Sequence, residues 1–120
     1  MLIDSNIIIY AAQPGYNNLR DFLKTQNFVV SAISLVEVLG YHKLNPKEQM
    51  LLEQFFENVT VFPITESIID EAIKVRKEHN LTLGDSLIAA TCIYEELILV
   101  TRNVQDFAAI DSLEIINPID

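Results

Sequence analysis

The sequence predicts an α/β fold, a mostly parallel sheet covered by helices on both faces, in one domain over residues 1–120. Two observations predict it. Strand-like and helix-like segments alternate along the chain, and the strand-like ones, such as Phe28-Val29-Val30, are unbroken apolar runs. A strand whose crossover helices pack on both sides of the sheet needs apolar residues at every position, not at every second one. No repeat, low-complexity tract or Gly/Ser/Pro linker divides the chain, and 120 residues suffice for one core, burying roughly two-thirds of the unfolded surface.

The elements follow in order. Leu2-Ile3 reads as a short buried strand, and Ser5 to Ala12 turns into a helix that Pro14-Gly15 breaks. Asn18 to Thr25 is amphipathic at helical spacing, Phe28 to Val30 is a strand, and Ser31-Ala32-Ile33 reads as a connection. Ser34 then caps a helix to about Lys43, since Ser34-Leu35-Val36-Glu37 fits the capping box S-x-x-E. Asn45-Pro46 supplies an N-cap and an N1 proline for a helix ending near Asn58. Val59 to Phe62 is a strand, and Thr65 opens a helix whose apolar stripe is Ile68, Ile69, Ala72, Ile73 and Val75. After a loop at Asn80 to Thr82 come a helix from about Leu83 to Glu96 and a strand at Leu97 to Val100. A short helix at Asn103 to Ala109 and a last strand at Leu113 to Ile116 complete the pattern.

Four acids stand where strands give way to helices: Asp4, Glu37, Asp85 and Asp106. In a parallel sheet those places share the carboxyl edge, where open α/β sheets put their ligands. Carboxylates gathered without cations raise one another's pKa, and a divalent cation relieves the repulsion. Such a site points first to phosphodiester chemistry. Each acid also has a plain structural use. Asp4 can cap the helix after it, Glu37 and Asp85 can close capping boxes with Ser34 and Thr82, and Asp106 can sit solvated behind an Asn103 cap. Gly84 before Asp85 either leaves room for a ligand or permits a tight turn, and Arg102 either steers a phosphate or is simply exposed. His42 and His79 lie near helix C-termini, where the dipole favours cations, and lack zinc-ligand spacing. No phosphate loop, nucleophile elbow or C-x-x-C is present.

The formal net charge of −9, with 8 Lys and Arg against 17 Asp and Glu, argues against ordinary nucleic-acid binding and favours a basic protein partner. Apolar residues make up 50% of the chain, and the mean hydropathy is +0.26. That excess predicts a covered interface, either a homodimer or a bound partner. The apolar runs are too short to span a bilayer, so no membrane association is expected. Met1-Leu2-Ile3-Asp4 has no basic n-region, so no signal peptide is expected. The single cysteine, Cys92, fits a small core residue in a reducing, cytoplasmic location.

Taken together, LIDSNIIIY, SLVEVLG, LGDSLIAAT and LVTRNVQDF resemble, in order and along the whole chain, the motifs of the PIN-domain family, specifically VapC-type toxin ribonucleases. The resemblance implies a three-layer α/β/α sandwich around a central parallel sheet. It implies a metal-dependent endoribonuclease that cleaves RNA by metal-activated water, the toxin of a type II toxin–antitoxin pair. Mg²⁺ or Mn²⁺ would be bound by Asp4, Glu37, Asp85 and Asp106, with Asn6, Thr101 and Asn103 as supporting hydrogen-bonders. It also implies a homodimer held silent by a cognate antitoxin whose basic tail enters the acidic groove. The alternative is a non-catalytic PIN-like module that binds protein or RNA. Receiver and dehalogenase-type phosphatase sites fit poorly: the first wants paired acids by the first strand, and the second wants Asp-x-Asp where this chain has Asn6.

Overall fold

Each strand is only two residues long, and every strand but the last is followed by a helix. The computed structural model describes residues 1–119. Along the chain the elements are β1 (Leu2–Ile3), α1 (Ser5–Ala11), α2 (Asn17–Lys24), β2 (Val30–Ser31), α3 (Ala32–Leu39) and α4 (Pro46–Asn58). They continue with β3 (Val61–Phe62), α5 (Glu66–Glu78), α6 (Leu83–Glu95), β4 (Leu99–Val100), α7 (Val104–Phe107) and β5 (Ile115–Ile116).

All pairings are parallel. β1 registers on β4 through Leu2–Leu99 and Ile3–Val100, β4 on β5 through Leu99–Ile115, and β2 on β3 through Val30–Val61. A bridge between Leu2 and Val29 joins the two groups, giving the spatial order β3-β2-β1-β4-β5. The order reverses between β1 and β4. Connections on the two sides of such a point leave in opposite directions, which opens a crevice at the carboxyl ends of those strands.

Side-chain alternation sorts the core into two layers. Leu2 and Leu99 face a cluster with Val75, Ile88, Ala89, Cys92 and Phe107, beneath α5, α6 and α7. Ile3 and Val100 face the other way, onto Ile7, Ile8, Leu19, Val38, Leu52 and Phe56 from α1, α2, α3 and α4. The α/β fold and the three-layer sandwich are therefore as expected. Cys92 is a buried core residue, and burial pushes its thiol up to about 12. Among the described residues no helix is long and apolar enough to cross a membrane.

Several boundaries differ from the sequence reading. α3 starts at Ala32, with Ser31 as its cap accepting from Ile33 N–H at 3.2 Å. Residues 31–33 are thus not a connection, and Ser34 is a buried interior residue, not the cap. The sequence offers two serines three residues apart. The earlier start wins because it turns Ser34 and Val38, one helical turn apart, onto the core. α3 also stops at Leu39, with Gly40 at its end, short of Lys43. In α5 only Ile68, Ala72 and Val75 are buried, while Ile69 and Ile73 lie on the next face, in solvent. The Asn45 cap is as expected and forms a reciprocal box with Glu48.

Because Ser31 and not Ser34 caps α3, Ser31→Ala should destabilise the protein by about 1 kcal/mol in urea or guanidinium unfolding. An unchanged midpoint would return the cap to another residue.

Candidate functional site

The crevice between β1 and β4 is built around Asp4, the first residue beyond β1. Its backbone N–H donates to Val100 O at 2.9 Å, so the sheet itself fixes the position of the carboxylate. Asp4 also caps α1, its Oδ1 accepting from Ser5 N–H at 2.7 Å. The capping use and the site use therefore coexist. On the other side, Oδ2 accepts from the Thr101 hydroxyl at 2.8 Å and from Asn6 Nδ2 at 3.2 Å. Thr101 immediately follows β4, and its Oγ1 accepts from Asn103 N–H at 3.1 Å, which leaves its proton for Asp4. Asn6 Oδ1 accepts from Arg102 N–H at 3.3 Å, tying the α1 start to the segment after β4. Asn6 and Thr101 thus act by side chain on Asp4. Asn103 acts by its backbone and stands at the α7 N-cap without a side-chain capping bond.

Asp4 is 4% exposed, and none of these partners carries charge. Burial pushes its carboxyl from 3.8 up to about 6; the Thr101 and Ser5 bonds pull it down, and Asp85 and Glu37 raise it further. Asp85 is half-buried in the first turn of α6, with its N–H donating to the Thr82 cap at 3.1 Å. Burial raises its carboxyl too, with Asp106 and Glu37 adding to the rise and a bond with Thr82 opposing it.

Glu37 comes from the second turn of α3, beyond the first-turn position that a Ser34 cap would give it. The carboxylate lies against Gly84, where a β-carbon would overlap Oε2. Gly84 is therefore not a turn residue. It sits in the first turn of α6 and gives the Glu37 carboxylate the room it occupies. Asp106 lies exposed on the single turn of α7 and joins the group through Asp85. Arg102 does not neutralise it; its guanidinium lies 4.7 Å from the centroid of the Tyr10 ring. Among the described residues the one ion pair is Lys74–Glu71, far along α5 from these acids in sequence.

The four acids are thus neighbours in one field, without a cation between them. Among the described residues, no group of three or more His, Cys, Asp or Glu side chains stands close enough together to hold a metal ion. The donors are all oxygens, carboxylates with hydroxyl and amide groups behind them, which is the chemistry of a hard divalent cation and not of zinc. A cation there would relieve the repulsion that raises Asp4 and Asp85.

Sequence reasoning missed Ser5 and Ser34. The Ser5 hydroxyl donates to Glu37 Oε1 at 2.7 Å and meets Ser34 Oγ at 2.8 Å. A serine directly after a strand-ending aspartate was the available signal, but its partners lie about thirty residues away (29 and 32 residues).

Known proteins share this arrangement of elements. The PIN domain family matches residues 1–113. Ribonuclease VapC10 of Mycobacterium tuberculosis is 32% identical over 123 residues, covering 95% of this chain and 90% of that protein. Ribonuclease VapC2 of Rickettsia felis is 31% identical over 124 residues, covering 93% and 92%. The crystal structure of VapBC2 from Rickettsia felis, bound to a DNA fragment from their promoter, superposes with a TM-score of 0.79 at 28% identity, covering 97% of this chain and 96% of that one.

Two expectations follow from the geometry. Asp4 holds its proton more tightly folded, at about 6, than unfolded, at 3.8. Its contribution to stability is therefore present in full below that lower value and is lost as pH rises through the upper one, a loss of about 3 kcal/mol. Urea unfolding of metal-free protein across that window should show wild type losing this much more than Asp4→Asn; parallel curves would remove the raised carboxyl. Gly84→Ala should lower stability by about 1 kcal/mol, since the added β-carbon displaces the Glu37 carboxylate from the Ser5 hydroxyl. It should weaken Mn²⁺ binding in calorimetry, because the Glu37 carboxylate must move aside. Full Mn²⁺ affinity in that variant would mean that Glu37 is not a ligand.

Proposed function

The chain belongs to the PIN-domain family, and from that premise we propose that it is an endoribonuclease, the toxin of a toxin–antitoxin pair, acting with a divalent cation at its acidic edge. The observation that carries this reading is the buried Asp4 carboxylate, held by neutral donors while it faces Asp85 and Glu37. Both relatives carry the name ribonuclease, and a solved neighbour at 27% identity is a toxin–antitoxin complex from Klebsiella pneumoniae.

In this reading Asp4, Glu37, Asp85 and Asp106 hold Mg²⁺ or Mn²⁺, with Asn6, Thr101 and Asn103 behind them. When bound, the cation supplies an acidified water and neutralises charge on the leaving oxygen. The chain's own residues do the remainder. Thr101, Asn6 and the Ser5 N–H hold Asp4 in one orientation. Burial of Asp4, 4% exposed, limits access of bulk water to that carboxylate. Arg102, fixed over Tyr10 beside Asn6, offers the approaching phosphate a positive charge. No protein nucleophile is required. The acidic edge attracts the basic tail of an antitoxin, which would cover it. Exposed Val36, Ile69, Ile73 and Leu83 are suited to the interface of a homodimer. A cytoplasmic location fits the RNA substrate, and residues 1–120 act as one domain.

The net charge of −9 favours a second reading, a module that binds a partner without cutting RNA. One assay separates the two. Purified, antitoxin-free protein in Mg²⁺ or Mn²⁺ should cleave members of a broad RNA panel. Cleavage should fall to background with chelator, and with an Asp85→Asn variant that melts no lower than wild type. A folded wild type that binds Mn²⁺ and leaves the whole panel intact would favour the binding module.

A further inference from the structure

The proposed chemistry needs Asp4 and Glu37 in fixed relative positions, yet one ends β1 and the other projects from the second turn of α3. A glutamate with freely turning side-chain bonds samples many positions on a helix surface. One residue bridges the two acids. The Ser5 backbone N–H donates to Asp4 Oδ1 at 2.7 Å, while its hydroxyl donates to Glu37 Oε1 at 2.7 Å.

Ser34 supports that bridge from within the core. It is fully buried, one helical turn before Glu37, and its Oγ lies 2.8 Å from Ser5 Oγ. The direction of this bond follows from proton counting. A serine hydroxyl has one proton, and an ionised carboxylate only accepts. Ser5 therefore gives its proton to Glu37, and Ser34 donates to Ser5. Two donations in series polarise one another, strengthening the bond that reaches the carboxylate.

Two other buried hydroxyls on helices behave differently. Ser86 and Thr91 return theirs to carbonyls of their own helix, Leu83 O at 2.6 Å and Leu87 O at 2.7 Å. That local bond is the usual way to satisfy a helical hydroxyl. Ser34 instead reaches from α3 to α1, toward the one serine that touches both acids.

We propose that Ser5 is a positioning residue, which through Glu37 sets the geometry of the cation's ligands and is itself held in place by Ser34. This rests on the metal-dependent reading above. Ser5 acts through Glu37 and does not touch RNA, so its effect should vanish when Glu37 is absent.

Mn²⁺ titrations followed by electron paramagnetic resonance, alongside RNA cleavage and melting curves, test this on the purified full chain. Ser5→Ala should bind Mn²⁺ roughly 10- to 100-fold more weakly, the usual effect of removing a group that orients a ligand. Ser5→Thr, which keeps the hydroxyl, should restore most of the affinity. In a Glu37→Ala background, adding Ser5→Ala should cost nothing further. Ser5→Ala combined with Ser34→Ala leaves no orphaned hydroxyl, and should match Ser5→Ala in affinity if the single variant melts early. Wild-type affinity in Ser5→Ala, or the same loss with and without Glu37, overturns the positioning role while leaving the nuclease reading intact. A wild type that neither binds Mn²⁺ nor cuts RNA overturns both.

Discussion

A carboxylate that is 4% exposed and faces two others must be held by groups that add no charge of their own. Asp4 meets that constraint through a backbone N–H, a hydroxyl and an amide, from Ser5, Thr101 and Asn6. Each partner depends on the topology. Thr101 is in reach because β4 lies beside β1, and Ser5 and Asn6 because α1 begins where β1 ends. The β1/β4 reversal supplies the crevice, and α3 and α6 bring Glu37 and Asp85 to its rim. Short strands suffice, since the sheet needs only to deliver the residues at its carboxyl edge. Most of the packing comes from helices on its two faces.

The same electrostatics bears on how an acidic chain could act on RNA. Only 8 residues are Lys or Arg, so the backbone of a nucleic acid meets little general attraction. Attraction must then come from the site. A divalent ion, as proposed, would reverse the local field at the acidic edge, and the nearby Arg102 is stacked on Tyr10 instead of being neutralised by Asp106. An RNA would be drawn to one place, in place of a broad basic face. The uncovered edge is equally attractive to an arginine or lysine side chain, so the feature that would recruit a cation also suits a basic inhibitory segment.

Much of this was legible in the sequence. Alternating elements and unbroken apolar strands pointed to the layers, and the position of Asp4 directly after a strand pointed to the edge. What was not legible depended on long-range contacts. Ser31 and Ser34 are equally good caps by local pattern, and Ser34-x-x-Glu37 even fits a capping box. Only the packing of Ser34 and Val38 against the core selects the earlier start. Gly84 read as room for a ligand or as a turn, because nothing in LGDS states that Glu37 will lie against it. Ile69 and Ile73 looked like core because local periodicity cannot say how wide a buried stripe α5 needs against α6.

The cost of Asp4 to the fold distinguishes a catalytic edge from a docking surface. A surface that only binds a partner has no use for a carboxylate buried among other carboxylates. Asparagine would keep an acceptor for the Ser5 N–H and remove the desolvation and repulsion that raise the carboxyl to about 6. Local departures from the most stable arrangement concentrate where function requires them. Here the departure is not a lone acid. It comes with a neutral hydrogen-bond shell that preserves the charge and fixes its direction, and with a glycine that makes room for a second carboxylate. Such a shell serves a ligand that itself brings positive charge, and the all-oxygen donors select a hard cation. A divalent cation at this edge would relieve the repulsion that raises Asp4 and Asp85, which would tie the stability of the edge to the chemistry proposed for it.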